Sequence, residues 1–303
     1  MSKKVLVIGS SNTDMVVKTT EFPKPGETVL GGTFLMNPGG KGANQAVAAA
    51  RLGALVRFVT KIGKDIFGKQ ALEGFSKERL DISHVIETSE FVSGIALITV
   101  NKNGENQIVV ASGSNMDLKP ADLPDPVFHD VELVLLQLEI PMETVRYVIR
   151  KCRELRIKVI LNPAPAARLD GNLLQDIYLI TPNEIETQRI TGILAENEEQ
   201  LKQAAFFFHQ KGVENVIITL GREGVFLSNS TYSQRIAATE VTPVDTTAAG
   251  DVFNGAILKA LSEGKGWMEA CRYACKAAAV SVTRMGAQSS APYDYEIDPE
   301  ESV

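Results

Sequence analysis

The chain has 303 residues, 24 of them glycine, and a formal net charge of −6 at pH 7. That length can bury a large core, as one big domain or a domain plus an elaboration. The negative balance gives no general electrostatic footprint for nucleic acid or an anionic membrane, so neither is an expected partner and only local anion sites stay open. Cys152, Cys271 and Cys275 do not make a disulfide framework. With no signal-like leader and no long apolar span, the expected compartment is the cytoplasm. Cys271 and Cys275 would share a helix face, but no histidine lies nearby, so core packing is expected over a metal site.

In chain order, Val5 to Ile8 reads as a short buried strand, followed by Gly-Ser-Ser-Asn-Thr-Asp14. This lacks the three spaced glycines of a dinucleotide fingerprint. Met15 to Thr19 is again extended, so Asn12 and Asp14 stand at a strand end, the usual place for ligand contacts in an open α/β sheet. Two residues apart on extended backbone, they can face the same way. An Asx-turn is the competing reading. After the rigid turn Phe22 to Gly26, extended structure is predicted for Thr28 to Met36. Asn37-Pro-Gly-Gly-Lys-Gly-Ala-Asn-Gln-Ala46 then enters a helix reaching about Leu52. Its glycines let backbone approach a ligand closely. Lys41 and Asn44 can jointly donate to hydroxyls, and Lys41 to a phosphate, although the spacing is not that of a Walker A loop. A lysine at a helix N-terminus works against the dipole, which favours a functional reading.

Arg57 to Ile62 is a predicted strand and Asp65 to Leu80 a helix. Ser93 to Val100 and Gln107 to Ala111 flank Asn103-Gly104, a strong hairpin signal. Together with the two early extended stretches they lack crossover helices. A small antiparallel sheet beside the main one is therefore expected, a lid formed by insertions within about 14–36 and 91–112. Its apolar face needs covering by substrate, the main body or another subunit.

From about Pro120 the pattern is regular α/β. Predicted strands Val131–Leu138, Lys158–Leu161, Ile177–Thr181 and Val216–Leu220 accompany helices Met142–Arg156 and Glu198–Gln210. The first strand ends at Glu139. Asn183 and Glu186, three apart on one face of a helix start, suit water-mediated Mg²⁺ binding near phosphates, with a solvated first turn as the alternative. Gly221-Arg-Glu-Gly224 follows the last of these strands, then a hairpin up to Ile236. No repeat or linker divides the chain, and a single domain over 1–303 is predicted.

The stretch that organises the rest is Val241-Thr-Pro-Val-Asp-Thr-Thr-Ala-Ala-Gly-Asp-Val-Phe-Asn-Gly-Ala256. Val241 to Val244 reads as the end of a strand, and a helix runs from near Ala248 to about Leu261. Ala248, Ala249 and Gly250 carry almost no side chain, and first-turn N–H groups have no internal partner, so this is an anion site suited to phosphate. Asp251 could simply stabilise the helix. A carboxylate would repel a bound phosphate, however, so it makes better sense as the acceptor of a proton from an attacking hydroxyl. Asp245 is a cap or an oxygen ligand for a cation. A helix from Trp267 to Val282 and a loop from Thr283 to Ser290 complete the pattern.

These residues resemble the PfkB carbohydrate kinase family. Gly39-Gly-Lys-Gly-Ala-Asn-Gln-Ala46 matches its first signature, and Asp245 to Ala256 matches its long and specific second one. The similarity runs from Val5 to about Ser290 and includes Gln137-Leu-Glu139, Asn183 with Glu186, and Thr219-Leu-Gly-Arg-Glu-Gly224. The Asn12/Asp14 pair and the Gly-Lys-Gly-Ala-Asn form look most like the ribose-phosphorylating branch.

The resemblance implies a central mostly parallel sheet flanked by helices, a small β-sheet lid, and a homodimer formed through the lid. It implies ATP-dependent phosphorylation of D-ribose at the 5-hydroxyl, with Asp251 as base and Ala248, Ala249 and Gly250 as anion hole; the alternative it leaves is a kinase of the same family for another sugar or nucleoside, such as deoxyribose, fructose or adenosine. Implied ribose contacts are Asn12, Asp14, Gly40, Lys41, Gly42, Ala43, Asn44, Glu139 and Asp251. The implied ATP site comprises Asn183, Thr219, Leu220, Gly221, Arg222, Glu223, Gly224, Gly250 and Cys275, with Asn183 and Glu186 placing Mg²⁺ through water. A K⁺ site is implied at Asp245, Thr247, Ser281, Arg284, Gly286 and Ser290, largely through backbone carbonyls, and requires the Arg284 side chain to point away. Cys275 departs from the family pattern: the well-known bacterial member has a histidine there, whose hydrogen bond and stacking a cysteine cannot copy.

Overall fold

A computed structural model of the chain describes residues 4–30, 32–167, 169 and 171–297. Its centre is an eight-stranded sheet in the spatial order Ser233–Ile236, Val225–Ser228, Asn215–Thr219, Leu179–Ile180, Lys158–Leu161, Val131–Leu136, Lys4–Ile8, Val56–Val59. The last six are mutually parallel, and the first two form an antiparallel hairpin at one edge. Alternate residues of the central strands feed two separate cores. Val5, Val7, Leu133 and Leu135 pack with helices Lys41–Arg51, Ala249–Ser262 and Trp267–Val282. Leu6, Ile8, Val134 and Leu136 pack with helices Met142–Leu155 and Glu198–Gln210. Covering both faces is why these strands read as near-continuous apolar runs, each large side chain adding roughly 1.5–3 kcal/mol on burial. The fold is α/β, a mostly parallel sheet between helical layers with a smaller β-sheet beside it.

Chain direction across the sheet reverses between Lys4–Ile8 and Val131–Leu136. At that switch point Gly9 to Asp14 and Gln137 to Glu139 emerge side by side beyond the strands' carboxyl ends, where α/β sheets bind ligands. Two helices lie unusually close there. A Cβ added at Gly255 would meet the Ala48 Cβ at 2.7 Å and the Gln45 carbonyl at 2.8 Å. That glycine lets Lys41–Arg51 press against Ala249–Ser262, which sets Asn44 and Gln45 beside Asp251.

The smaller sheet has four strands in the order Thr33–Gly39, Asn12–Lys18, Gly94–Val100, Asn106–Ala111. It is not purely antiparallel as expected, because Asn12–Lys18 pairs parallel with Gly94–Val100. The intervening chain contains helices Lys41–Arg51 and Ile66–Lys77, long enough for the crossover a parallel pair needs. The other two pairings are antiparallel, and the predicted hairpin at Asn101–Asn106 forms. The extended run predicted from Thr28 is a strand only from Thr33.

Two further expectations fail. Val241 to Val244 is not a strand: Pro243 lacks a donor, Val244 is 61% exposed, and the segment is tied down only where the N–H groups of Val244 and Asp245 donate to the Val282 carbonyl. The predicted strand Arg57–Ile62 breaks at Thr60, its second part Lys61–Gly63 pairing with Ile86–Thr88 in a separate two-stranded sheet. Among the described residues no helix is long and apolar enough to cross a membrane.

Candidate active site

Helix Ala249–Ser262 begins abruptly. Ala248 precedes it in the left-handed region at φ 59°, ψ 12°, a conformation that costs a non-glycine residue of order 1 kcal/mol. The Ala249 N–H donates back to the Thr246 carbonyl at 3.3 Å, whereas at Gly250 the turn is open, a Cβ there meeting nothing within 4 Å. Beneath this open rim Asp251 is 6% exposed. Its two oxygens accept from Asn44 Nδ2 at 3.0 Å and Gln45 Nε2 at 2.9 Å. The side-chain oxygen of Asn44, Oδ1, is buried with no partner.

Helix Lys41–Arg51 starts without a cap of its own, since Gly40 has no side chain. The cap comes from two distant residues. Glu139 Oε2 accepts from the Lys41 N–H at 3.0 Å and from Ser10 Oγ at 2.5 Å. Ser10 in turn accepts the N–H groups of Gly42, through Oγ at 3.3 Å, and of Ala43, through its carbonyl at 2.9 Å. The Glu139 carboxyl thus sits at a helix N-terminus, the end at which the dipole favours acidic side chains. Gly40 adopts φ 88°, and a Cβ there would lie 2.7 Å from the Asn12 nitrogen, so only glycine brings this turn against the Ser11–Asn12 backbone.

Asn12 and Asp14 lie on the same face at the start of their strand. Rather than closing an Asx-turn, Asn12 Oδ1 accepts from Asn115 Nδ2 at 2.7 Å. Burial, and then the nearby Glu139 and Asp251, push the Asp14 carboxyl up to about 6, with Lys41 acting in the opposite sense. Lys41 is itself held charged, first by Asp251, against the cost of burial, with Glu139, Glu186 and Asp14 adding to the effect. Four acidic side chains thus act on one lysine, which accounts for a cation at the unfavourable end of a helix.

Along the rim, Asn183 caps helix Glu184–Thr191: its Oδ1 accepts the Glu186 N–H at 2.8 Å, and Glu186 Oε2 accepts the Asn183 N–H at 2.9 Å. Glu186 is buried, and burial raises its carboxyl above the usual range despite that bond and Lys41. Asn183 and Thr219 form a β-bridge, so the two expected nucleotide-side segments do meet. Gly221–Glu223 forms a single 3₁₀ turn. Leu220 points into the core, Arg222 is exposed, and Glu223 pairs with Arg235 at 2.5 Å. Cys275 is buried in the same core as Cys271, and burial pushes its thiol up to about 11.

Asp245 neither caps a helix nor pairs with Arg284. Its oxygens accept the Thr247 N–H and the Gly286 N–H, each at 2.9 Å, which joins the turn before Ala248 to the loop after Trp267–Val282. Arg284 instead binds Glu296, with Nη2–Oε1 at 2.5 Å. The Ser281 and Ser290 hydroxyls are buried and donate to the Ala278 and Ala287 carbonyls. No cluster of three or more His, Cys, Asp or Glu suited to a metal occurs among the described residues.

Residues 2–294 match the pfkB family carbohydrate kinase. The chain belongs to that family. It is 45% identical over 294 residues to a ribokinase from Haemophilus influenzae, covering 96% of each chain. A solved ribokinase from Thermotoga maritima superposes with a TM-score of 0.89 at 39% identity, covering 99% of this chain and 100% of that one. Arabidopsis thaliana ribokinase complexed with ribose and ATP gives 0.92 at 32% identity, covering 100% of both.

Seen as a PfkB site, the floor contains residues that pattern reading did not single out. Gln45, Asn115, Asn162, Thr181 and Asn254 are all buried and hydrogen-bonded around Asp251, Asn12 or Gly250. Asn162 and Thr181 do carry a signal, each being the first residue after an apolar strand. In a two-faced sheet that position points at the ligand crevice.

Proposed function

We propose that this chain transfers the γ-phosphoryl group of ATP to the 5-hydroxyl of D-ribose, giving D-ribose 5-phosphate and ADP. Close similarity to ribokinases along the whole chain supports the reaction. The observation that carries the site assignment is Asp251 itself, a buried carboxylate directly beneath an open first helical turn. In the proposed reaction the sugar oxygen attacks phosphorus in line, its proton passes to Asp251, and the electron pair of the breaking bond leaves with ADP. The N–H groups after Ala248 receive the charge spread over the transferring oxygens. Asn12, Asp14, Lys41, Asn44 and Glu139 supply the convergent donors and acceptors that a desolvated sugar requires. The unpartnered Asn44 oxygen awaits such a hydroxyl donor.

The residues also fit two cations. Glu186, buried and disfavoured as an anion, gains from a divalent charge nearby, and with Asn183 it would hold Mg²⁺ through water. Mg²⁺ when bound neutralises charge on the phosphates. The loops of Asp245, Thr247, Ser281, Arg284, Gly286 and Ser290 offer one carboxylate, hydroxyls and carbonyls, an oxygen-only set suited to K⁺. Arg284 is no obstacle, its charge being directed to Glu296.

The four-stranded sheet is assigned as a lid, with the chain acting as one unit and insertions of about 14–36 and 91–112 forming the cover. Its face opposite Asn12 and Asp14 carries Met15, Val17, Phe34, Met36, Leu97 and Val109, as the register dictates. Phe34 is 60% and Val109 67% exposed. A second copy of the lid is the proposed cover, making a homodimer. Use of ATP and three buried free cysteines accord with a cytoplasmic protein.

A coupled ADP-release screen of ribose, deoxyribose, fructose, adenosine and other pentoses, with NMR fixing the phosphorylated position, tests the activity. A clear preference for another substrate overturns the ribose assignment. Sedimentation showing only monomer at micromolar concentration, with full activity, overturns the dimer.

A further inference from the structure

Three neighbouring parallel strands each place a polar residue immediately beyond their last apolar one: Gln137 after Val131–Leu136, Asn162 after Lys158–Leu161, and Thr181 after Leu179–Ile180. Gln137 and Thr181 are at most 1% exposed and Asn162 is 7% exposed. None can reach solvent, so each must find a protein partner. The partners form one continuous line. Gln137 Nε2 donates to Gln45 Oε1 at 2.6 Å. Gln45 Nε2 donates to Asn162 Oδ1 at 3.0 Å and to Asp251 Oδ1 at 2.9 Å. Asn162 Nδ2 donates to the Thr181 carbonyl at 3.1 Å. Thr181 Oγ donates to Asn254 Oδ1 at 2.6 Å, and Asn254 Nδ2 donates to the Gly250 carbonyl at 2.8 Å.

Each amide in this line has a determined direction. The Thr181 carbonyl can only accept, so Asn162 must present its nitrogen there and its oxygen to Gln45. Gln45 must then present its nitrogen to Asn162, and both hydrogens of that nitrogen are used, the second on Asp251. Its oxygen is left for Gln137. A reversed Gln45 would set an oxygen against two acceptors and a nitrogen against a donor. Gln137 must then present its nitrogen to the Gln45 oxygen, which turns its own amide oxygen, buried without a partner, toward Gly9, where a Cβ would overlap it. The sheet thus dictates, through the chain of amides, that a donor faces Asp251 Oδ1.

We propose that Gln45 is a positioning residue for the base, holding the Asp251 carboxylate in one rotamer from the sheet side while Asn44 holds its second oxygen. The proposal rests on the reading of Asp251 as proton acceptor. Gln45 is fully buried behind Asp251 and touches neither substrate nor the reacting atoms in this arrangement. An amide suits the task because it supplies two donors without charge. A lysine or arginine there would bring a full positive charge to the carboxylate, and a glutamate would repel it. Because the same line continues to the Gly250 carbonyl, the sheet ends also reach the peptide at the anion-binding turn. Base and turn therefore share one rigid reference, and positions near the reacting atoms must hold within a fraction of an ångström.

The test is steady-state and single-turnover kinetics on Gln45→Met and Gln137→Met, singly, together, and each in an Asp251→Ala background. Gln45→Met keeps the length and removes the donors. We expect kcat to fall by roughly 10- to 100-fold, the scale of a misplaced catalytic group, with KM for sugar and ATP changed less than about threefold. Gln137→Met leaves Gln45 held by Asn162 and should cost only a few-fold. The double variant should be no worse than Gln45→Met alone, since Gln137 acts through Gln45. In the Asp251→Ala background both substitutions should have almost no further effect.

Wild-type kcat in a folded Gln45→Met overturns the proposal, as does an equal loss with and without Asp251, which would mark general damage. If Gln45→Met does not fold, Gln137→Met decides alone by the same background comparison. Near-wild-type kcat in Asp251→Ala would sink the base assignment itself. Collapse of Asp251→Ala beside an active Gln45→Met sinks only the positioning role.

Discussion

Gln45, Gln137 and Thr181 under the site are at most 1% exposed, whereas all six residues of Asn106–Ala111 in the four-stranded sheet are exposed. The floor is polar, buried and tied together by side-chain hydrogen bonds; the sheet above carries an apolar, largely exposed outer face. The contrast follows from what each must do. Groups that act on the reacting atoms are most effective when already oriented and dry. A cover that admits and releases substrate must be cheap to displace, and a segment with few buried contacts has low local stability. Asn12 and Asp14 belong to both regions, at the root of a strand of the outer sheet yet facing the floor.

The largest effect should come from the floor. Asp251→Ala is expected to lower kcat by roughly 10²–10⁴-fold, the range of general-base catalysis, with nucleotide affinity retained by calorimetry. If kcat survives, the buried network around Asp251 is a structural device and the contrast drawn above loses its functional meaning.

Asp14 sharpens the comparison because burial and two neighbouring carboxyl groups work against its charge. Its folded pKa of about 6 exceeds the ordinary 3.8, chiefly through burial. The sign follows: the stability it contributes is full below pH 3.8 and is lost as pH rises through about 6. Asp14→Asn should therefore stabilise the sugar-free protein at pH 7.5, by about 1–3 kcal/mol at ~1.4 kcal/mol per pKa unit, with the gain shrinking between pH 6 and 4. Sugar affinity should fall. Urea melts at pH 7.5 and 4.5 check this, and an equal or reversed difference at the two values would show that Asp14 is not strained.

Much of this was legible from local pattern. Helices Glu198–Gln210 and Trp267–Val282 were predicted with the bounds the structure gives, because their amphipathic or apolar stretches begin and end at clear signals. The start of helix Ala249–Ser262, expected near Ala248, was readable from the run of small residues that leads into it. The amide line was only partly so: Asn162 and Thr181 follow apolar strands, but Gln45 and Asn254 lie within helices and look in sequence like surface residues until their neighbours are known. The parallel pair in the outer sheet was hidden for another reason: pairing direction depends on where the crossover runs. Val241 to Val244 misled because three apolar residues resemble a strand, although Pro243 and solvent exposure argue otherwise.

The smallest effect concerns the rim, between the two regions. Residues Val241 to Thr247 are largely exposed, yet the anion-binding turn that follows needs floor-like precision. Asp245 is what the fold supplies, with one oxygen on Thr247 and the other on Gly286. Those bonds, with burial opposing them, hold its carboxyl below the usual range, so it stays ionised at any working pH. An anion in a loop rich in carbonyl oxygen is poorly matched until a cation joins it. K⁺ bound there would stiffen the rim without touching the sugar, so its influence should reach kcat through the aim of the N–H groups after Ala248. At constant ionic strength, replacing tetramethylammonium by K⁺ should raise kcat roughly 2- to 10-fold, the scale of one hydrogen bond gained or lost. Asp245→Asn keeps one acceptor oxygen but removes the charge, and should flatten that response while leaving KM for ribose within about twofold, as expected for an effect confined to the transition state. Equal rates in the two salts, after contaminating K⁺ is removed, would mean that the Asp245–Gly286 tie alone gives the rim its precision.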